Sequence, residues 1–219
     1  MSEHIVERKP RPRDRVMIRL SGGRFFAIPE EAAAPLAVGA ELTDEEIERL
    51  AGIDQYLRGH DKAMRMLALR GRSRREIDDA LKALGVNDAV RRGIVAELEE
   101  RGLVDDARFA REFVSVKKDV RRLGPHRLRA DLKKLGVNRS DLDGALASFG
   151  ADEQERLART LAERVMRNGT VDEKMVRRVA SMLTRKGFDY GVVNRIAADM
   201  AKRMERAPDD AEWAAPEDA

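Results

Sequence analysis

The chain has 219 residues, of which 42% are hydrophobic, 38% charged and only 4% aromatic. This composition favours helices over a β-sandwich or barrel, which would need more β-branched and aromatic residues. Cysteine is absent, so disulfides, thiolate metal sites and cysteine nucleophiles are excluded. The three histidines, His4, His60 and His126, are far apart in sequence and leave little material for a zinc site or an acid–base catalyst.

Hydropathy predicts the location of the protein. Residues 1–10 carry charge throughout and lack the apolar core of a secretory signal. The longest apolar stretch, residues 32–40, has nine residues and contains Pro35, whereas a membrane span needs about 20. We therefore expect a soluble, cytoplasmic protein without membrane contact.

The net charge of +3 conceals an uneven distribution. Residues 101–139 hold twelve Lys or Arg against five Asp or Glu, while residues 205–219 hold six acids and one Arg. A local positive excess of this size suggests a polyanionic or acidic partner. A solvated helical surface would explain the same residues, and charge alone does not decide between the two.

Both ends of the chain are predicted to be disordered. Residues 1–15 form a basic arm interrupted by Pro10 and Pro12. Residues 207–219 form an acidic tail in which Trp213 is the one large apolar side chain. Neither segment has the apolar periodicity that a packed element needs.

A small extension, residues 16–60, is predicted to follow the arm. Two runs of β-forming residues flank the turn residues Ser21-Gly22-Gly23, a pattern typical of a β-hairpin. Thr43 and Glu46 have the spacing of a capping box, which predicts a helix from there to about Leu50.

The rest of the chain repeats. Gly85, Gly136 and Gly187 are separated by 51 residues each time, and each follows two apolar residues spaced four apart. Glycine closes a helix in the left-handed conformation, and Asn or Asp two residues later caps the next one. The same pattern occurs three times, with the predicted caps Asn87, Asn138 and Asp189.

A further amphipathic helix precedes each pair, so we predict three three-helix repeats, residues 61–104, 105–151 and 152–206. The predicted fold class is all-α: three tandem three-helix repeats forming an elongated, curved array, preceded by a small β-hairpin extension. Such an array presents a long surface to a partner.

One segment is more specific than the repeat. Residues 101–110, RGLVDDARFA, close one helix at Gly102 and open the next under Asp105 and Asp106, where the helix dipole favours negative charge. With this segment and four others, the chain resembles the RecX family, bacterial regulators of the RecA recombinase. The other four are residues 70–81, 84–86, 124–132, which begin with Gly124-Pro125, and 135–137.

The resemblance extends from about Asp61 to Arg203 and implies a function. It implies an inhibitor that lies in the groove of the RecA filament on single-stranded DNA, bridges neighbouring protomers, and limits recombination and the co-protease activity behind the SOS response to DNA damage. The chain departs from the family pattern at the acidic tail and at Lys186, where the earlier repeats have Leu84 and Leu135.

The basic residues of the central repeat are the candidate partner-binding surface. Contact with an acidic filament surface or with phosphates is one interpretation. The other is structural, because cations near a helix end also stabilise exposed carbonyl groups. The candidates are Lys117, Lys118, Arg121, Arg122, Arg127, Arg129, Lys133 and Lys134.

A DNA-binding protein and an enzyme are the two alternatives to a regulator of RecA. Three-helix units with basic residues also occur in helix-turn-helix proteins, and Arg91 and Arg92 could contact base edges, although Asp141, Asp143 and Asp199 would repel phosphates. Weak, sequence-independent DNA contact is a further form of this alternative. We find no nucleophile–base pair, metal-ligand spacing or nucleotide loop, so we expect neither enzymatic activity nor a cofactor.

Overall fold

A computed structural model describes residues 3–167 and 171–206. The chain forms two compact units, one ending at Asp105 and the other beginning at Asp106. The predicted acidic tail lies outside the described residues. Within the described part, no helix is both long and apolar enough to cross a membrane.

The first unit begins with a four-stranded antiparallel sheet in the order β3-β2-β1-β4. A short helix, α1, separates the third and fourth strands. The elements are β1 (Glu3–Arg11), β2 (Arg15–Leu20), β3 (Phe25–Pro29), α1 (Glu30–Ala33) and β4 (Glu41–Leu42).

The prediction of a disordered N-terminal arm is wrong for residues 3–11, which form β1. This strand pairs with β2 along one edge and with β4 along the other. Only Ile5 among its residues is fully buried, so the strand has almost no hydrophobic alternation to reveal it. Its hydrogen bonds to two neighbouring strands stabilise it instead, and sequence periodicity does not report those.

The predicted hairpin is present as β2 and β3, which pair Val16 with Ile28 and Ile18 with Phe26. These four side chains are buried on the face that packs against the first long helix. The edge of β3 is protected, since the Ala27 N–H donates to the buried Asp54 carboxylate at 2.9 Å.

That long helix, α2 (Asp44–Leu69), opens with the predicted capping box at Thr43 and Glu46. It continues for 26 residues instead of ending near Leu50, so it also crosses the boundary that we predicted at residue 60. Its second half packs closely on the first repeat, where a Cβ at Gly59 would lie 2.7 Å from Cδ1 of Ile94. One end of α2 therefore packs on the sheet and the other on the first repeat.

Two further helices, α3 (Arg74–Ala83) and α4 (Asp88–Glu100), complete that repeat with the second half of α2. Their buried side chains form one core, which includes Ile77, Leu81 and Ile94.

The second unit contains two more three-helix groups, as predicted, and each has its own apolar core. Its helices are α5 (Asp106–Arg121), α6 (Pro125–Lys134), α7 (Arg139–Leu146), α8 (Ala151–Met166), α9 (Glu173–Lys186) and α10 (Tyr190–Arg206).

All three repeated turns have the predicted left-handed glycine, and two of them show the predicted side-chain cap. Gly85, Gly136 and Gly187 are all left-handed, with φ of 80°, 82° and 84°. Asn87 and Asn138 cap α4 and α7 by accepting backbone N–H groups at 2.9 Å. Asp189 directly precedes α10, at the predicted position, and its side chain pairs with His126 and Gln154.

Candidate functional site

A line of apolar side chains runs along one side of α5, and half of it is uncovered. Phe109, Phe113, Val116 and Val120 are spaced so that they share one face of the helix. Phe109 is buried and Phe113 partly so, whereas Val116 is 57% and Val120 76% exposed. The α5 helix has 16 residues and α7, against which it packs, has only 8. The apolar line therefore extends beyond its covering.

Cations lie beside this uncovered part. Lys117 and Arg121 are one turn apart and adjacent to the two valines. The Lys117 ammonium lies 5.5 Å from the centre of the Phe113 ring, and no described carboxylate pairs with it or with Arg121. We call Val116, Lys117, Val120 and Arg121 the α5 stripe.

Lys118, also a predicted contact residue, has a structural role instead. Its ammonium forms an ion pair of 2.7 Å with Glu153 at the start of α8 and lies 5.6 Å from the Phe149 ring centre. The side chain is only 23% exposed. Lys118 therefore connects the two three-helix groups of the second unit and does not belong to the free basic surface.

The ion pairs of α6 neutralise two more candidates. Arg127 pairs with Asp131 at 3.2 Å, and Arg129 pairs with Asp143 at 2.5 Å. Arg129 lowers the pKa of Asp143, so that carboxyl group is charged and offsets the guanidinium at neutral pH.

The remaining candidates lie at two helix ends. Arg122, partly buried with φ of 51°, follows Arg121 at the end of α5. Lys133 and Lys134 are exposed at the end of α6, a helix of ten residues and so about 15 Å long. Among the residues described, no acid pairs with Arg122, Lys133 or Lys134. The structure thus divides the eight candidates into paired residues and two clusters of free cations.

The loop after α5 is fixed by the end of α9. The Gly124 N–H donates to the Lys186 carbonyl at 2.8 Å, and the His126 N–H donates to the Gly187 carbonyl at 3.0 Å. Free N–H groups at the start of α6 are thereby satisfied by free carbonyls at the end of α9. A Cβ at Gly124 would lie 2.3 Å from the Gly187 carbonyl oxygen, so the Gly-Pro motif serves this contact.

A polar cluster holds the same junction from the side. Nε2 of His126 lies 2.9 Å from Oδ1 of Asp189, whose Oδ2 accepts a hydrogen bond of 2.8 Å from the Gln154 amide. Gln154, 3% exposed, also accepts the Asp189 N–H at 3.2 Å. The loop that follows the α5 stripe is therefore held by polar contacts with the end of α9 and the start of α10.

The described residues contain no cluster of three His, Asp or Glu side chains arranged to hold a metal ion. Asp106 is the first residue of α5 and Asp105 precedes it, the positions expected for residues at a helix start. The cationic side chains and the uncovered valines are thus the main features of this region.

The cations of this region were predicted from the sequence, whereas Val116 and Val120 were not. A signal for them was available, since the apolar line on α5 is longer than the eight-residue helix α7 can cover. Which cations are paired was not predictable from local sequence, because their acidic partners are up to 35 residues away.

Known protein domains match the second unit. The second three-helix domain of RecX matches residues 105–146, which include the α5 stripe, and the third matches residues 152–196. The regulatory protein RecX of Streptomyces lividans is 31% identical over 135 residues, which are 61% of this chain and 72% of that protein. The chain belongs to the RecX family.

Other RecX proteins agree with this assignment. The regulatory protein RecX of Geobacillus kaustophilus is 31% identical over 173 residues, 78% of this chain and 64% of that protein. A crystal structure of regulatory protein RecX has a TM-score of 0.66 and 26% identity, and covers 90% of this chain and 99% of its own. These relatives support a RecX regulatory role, and a regulatory family suggests a protein partner.

Proposed function

We propose that this protein binds the RecA filament on single-stranded DNA and, by binding rather than by catalysis, limits its recombination and co-protease activity. Membership in the RecX family supports the choice of partner. The uncovered half of the apolar line on α5 supports the choice of surface, because Val116 and Val120 continue a core face into solvent.

The α5 stripe has the chemistry of a protein-binding surface. Covering an exposed valine contributes about 1.5–3 kcal/mol when the burial is complete. Exposed apolar area of this kind, bordered by polar groups, marks interaction sites more often than a scattered single residue does. Lys117 and Arg121 add electrostatic steering toward an acidic partner.

The second cluster of free cations suggests a two-point contact. Lys133 and Lys134 lie at the far end of α6, about 15 Å along that helix from the loop that follows α5. In a filament, neighbouring protomers repeat the same surface. The α5 stripe would contact one protomer while Lys133 and Lys134 approach the next.

Co-sedimentation with RecA filaments assembled on single-stranded DNA tests the proposal. The double variant Val116→Ser/Val120→Ser should lose most of its filament binding and keep its fold, since both side chains are exposed. The matched control is Val38→Ser/Leu69→Ser, which removes equally exposed apolar side chains in the first unit and should bind like the wild type. Equal binding by both double variants would contradict the role of the stripe.

The helix-turn-helix alternative receives less support. Arg91, one of the two arginines that could contact base edges, is bound to Asp78 at 2.9 Å, to Asp88 at 2.6 Å and to the Val86 carbonyl at 3.2 Å. Removing it from these partners to contact DNA would leave two carboxylates without their cation. Arg92 is exposed, but one arginine provides little sequence discrimination.

A further inference from the structure

The sheet of the first unit has one face without a described covering. Its inner face packs on α2 through the buried residues of β2 and β3. On the outer face, Phe25 pairs across the strands with Arg19, which in turn pairs with Glu7. The next row consists of Lys9, Met17 and Ala27.

Phe25 is the strongly exposed large hydrophobic residue of this face. Its side chain is 67% exposed, although phenylalanine at a strand end is normally buried where a core is available. The adjacent Phe26, which points to the opposite face, is 7% exposed. The contrast between the two shows that β3 presents one aromatic ring to the core and the other to solvent.

Cations lie on the same face of the sheet as the exposed ring. Glu7 pairs with both Lys9 at 2.7 Å and Arg19 at 2.8 Å, so one carboxylate serves two cations that remain 62% and 50% exposed. Lys9 and Arg19 lower the pKa of Glu7 and keep it ionised at neutral pH. The Arg11 guanidinium donates to the Met17 sulfur at 3.3 Å, and no carboxylate in the described ranges pairs with it. The outer face therefore carries a positive excess.

We propose that the outer face of β1, β2 and β3 binds single-stranded nucleic acid. A base stacks on Phe25, and phosphates contact Lys9, Arg11 and Arg19. Proteins that bind single strands combine aromatic platforms, which accept any base, with cations that follow the backbone. A sheet that is packed on helices by one face and open on the other suits this use, since its strands hold the groups rigidly.

Single-stranded nucleic acid fits this face better than the alternatives. The bases of a duplex are stacked on each other and do not offer a face to Phe25. The strongly exposed apolar group of this face is a single ring, which a base can cover by stacking, and the cations on the same face complement phosphates. The proposal does not depend on RecA, because it concerns the first unit and bare nucleic acid.

Replacing Glu7 should increase the affinity for single-stranded nucleic acid. Its carboxylate competes with phosphate for Lys9 and Arg19. Glu7→Gln removes the competitor and should therefore tighten binding. Substitution of a residue with only a structural role in the sheet would not increase the affinity for nucleic acid.

The experiment measures fluorescence anisotropy of a labelled thymidine homopolymer with the full-length protein. Phe25→Ala should weaken binding about ten-fold or more. Lys9→Ala/Arg11→Ala should weaken binding and reduce the dependence of log K on log salt by about 0.7 for each lost phosphate contact. Leu69→Ala and Lys82→Ala, which change an exposed apolar residue and an exposed cation elsewhere in the first unit, should bind like the wild type.

A fluorescent variant distinguishes the loss of base stacking from the loss of the fold. Phe25→Trp, in a chain whose only native tryptophan is replaced by Trp213→Phe, should retain binding, and its fluorescence should be quenched when the homopolymer is added. An unchanged emission at saturating homopolymer would overturn the stacking role of position 25.

Other results would overturn the proposal as a whole. One such result is that the wild type does not bind the homopolymer. Another is that Phe25→Ala and Lys9→Ala/Arg11→Ala bind it with unchanged affinity. A third is that these variants lose as much affinity for duplex DNA as for the homopolymer. Weaker action on RecA filaments without any change in homopolymer binding would identify the face as a protein contact instead. Val116→Ser/Val120→Ser should bind the homopolymer normally, which separates this site from the α5 stripe.

Discussion

The ammonium group of Lys186 lies 2.8 Å from the carbonyl oxygen of Arg121. This contact explains why a lysine stands where the earlier repeats have Leu84 and Leu135. A cation near the end of α5 satisfies a carbonyl that has no partner within its own helix. The residue that departs from the family pattern thus fixes the helix end that carries the α5 stripe.

Gly124→Ala should destabilise the second unit by about 1–3 kcal/mol or more, because its Cβ would clash with the backbone at Gly187. Chemical denaturation measures the effect. Gly144→Ala is the matched control, since a Cβ in that helical position meets nothing within 4 Å. The control should be stabilised by about 0.5–1 kcal/mol. A neutral Gly124→Ala would show that the loop and α9 are not in this contact.

The three repeat leucines should each be essential for stability. Leu81, Leu132 and Leu183 are fully buried, one in each three-helix core. Replacement by Ala should lower the free energy of unfolding by about 2–5 kcal/mol in each case. Leu69→Ala, at a position 81% exposed, should change it by less than about 0.5 kcal/mol. Changes that small at all three buried positions would contradict the repeat cores.

The repeat was predictable because its signals are local. Gly85, Gly136 and Gly187 each close a helix in the left-handed conformation, and apolar residues four apart precede each of them in sequence. The hairpin at Ser21-Gly22-Gly23 and the capping box at Thr43 depend on neighbouring residues in the same way. Such features need no knowledge of distant parts of the chain.

The features that escaped prediction depend on distant contacts. Strand β1 is stabilised by two neighbouring strands, and the second half of α2 packs on α3 and α4 of the first repeat. Lys118 has a structural role only because Glu153 lies opposite. The Asp189 carboxylate pairs with His126 and Gln154, which are distant in sequence. Each case needs tertiary structure that the local sequence does not contain.

Tyr56 should report on pH in the first unit. Its hydroxyl donates to Glu97 at 2.6 Å, which raises the pKa of Tyr56 from 10.0 to about 12. Since the folded-state pKa is above the unfolded value, this hydrogen bond stabilises the fold fully below pH 10, and the contribution is lost as pH rises to about 12. Ultraviolet titration of a Tyr190→Phe protein isolates this group. Glu97→Gln should lower the midpoint, and an unchanged midpoint would contradict the assigned cause.

Charge on the α5 and α6 ends should act mainly on the rate of association with RecA filaments. Single rim charges are worth only about 0.2–1 kcal/mol, so single substitutions should be nearly silent. Arg121, Arg122, Lys133 and Lys134 changed together to Gln should slow association most at low salt. Stopped-flow measurements at two salt concentrations test this, and an equal effect at both would argue against electrostatic steering.

The matched control for that variant removes the same charge elsewhere. Lys174, Arg178, Lys202 and Arg203 are exposed at the opposite ends of α9 and α10 from the junction with α6. Their replacement by Gln should leave the association rate nearly unchanged. A similar slowing in both variants would mean that net charge, rather than the two cation clusters, controls association.

Inhibition of RecA-driven strand exchange tests the central claim most directly. The wild type should inhibit the reaction. The variant for comparison combines Val116→Ser and Val120→Ser with Gln at Arg121, Arg122, Lys133 and Lys134. It should inhibit only weakly at the same concentration while it retains its helical spectrum. Strand exchange that proceeds unchanged with the wild type would contradict the proposed function. Inhibition by the folded variant equal to that of the wild type would contradict the α5 stripe and the cations at the ends of α5 and α6 as its surface.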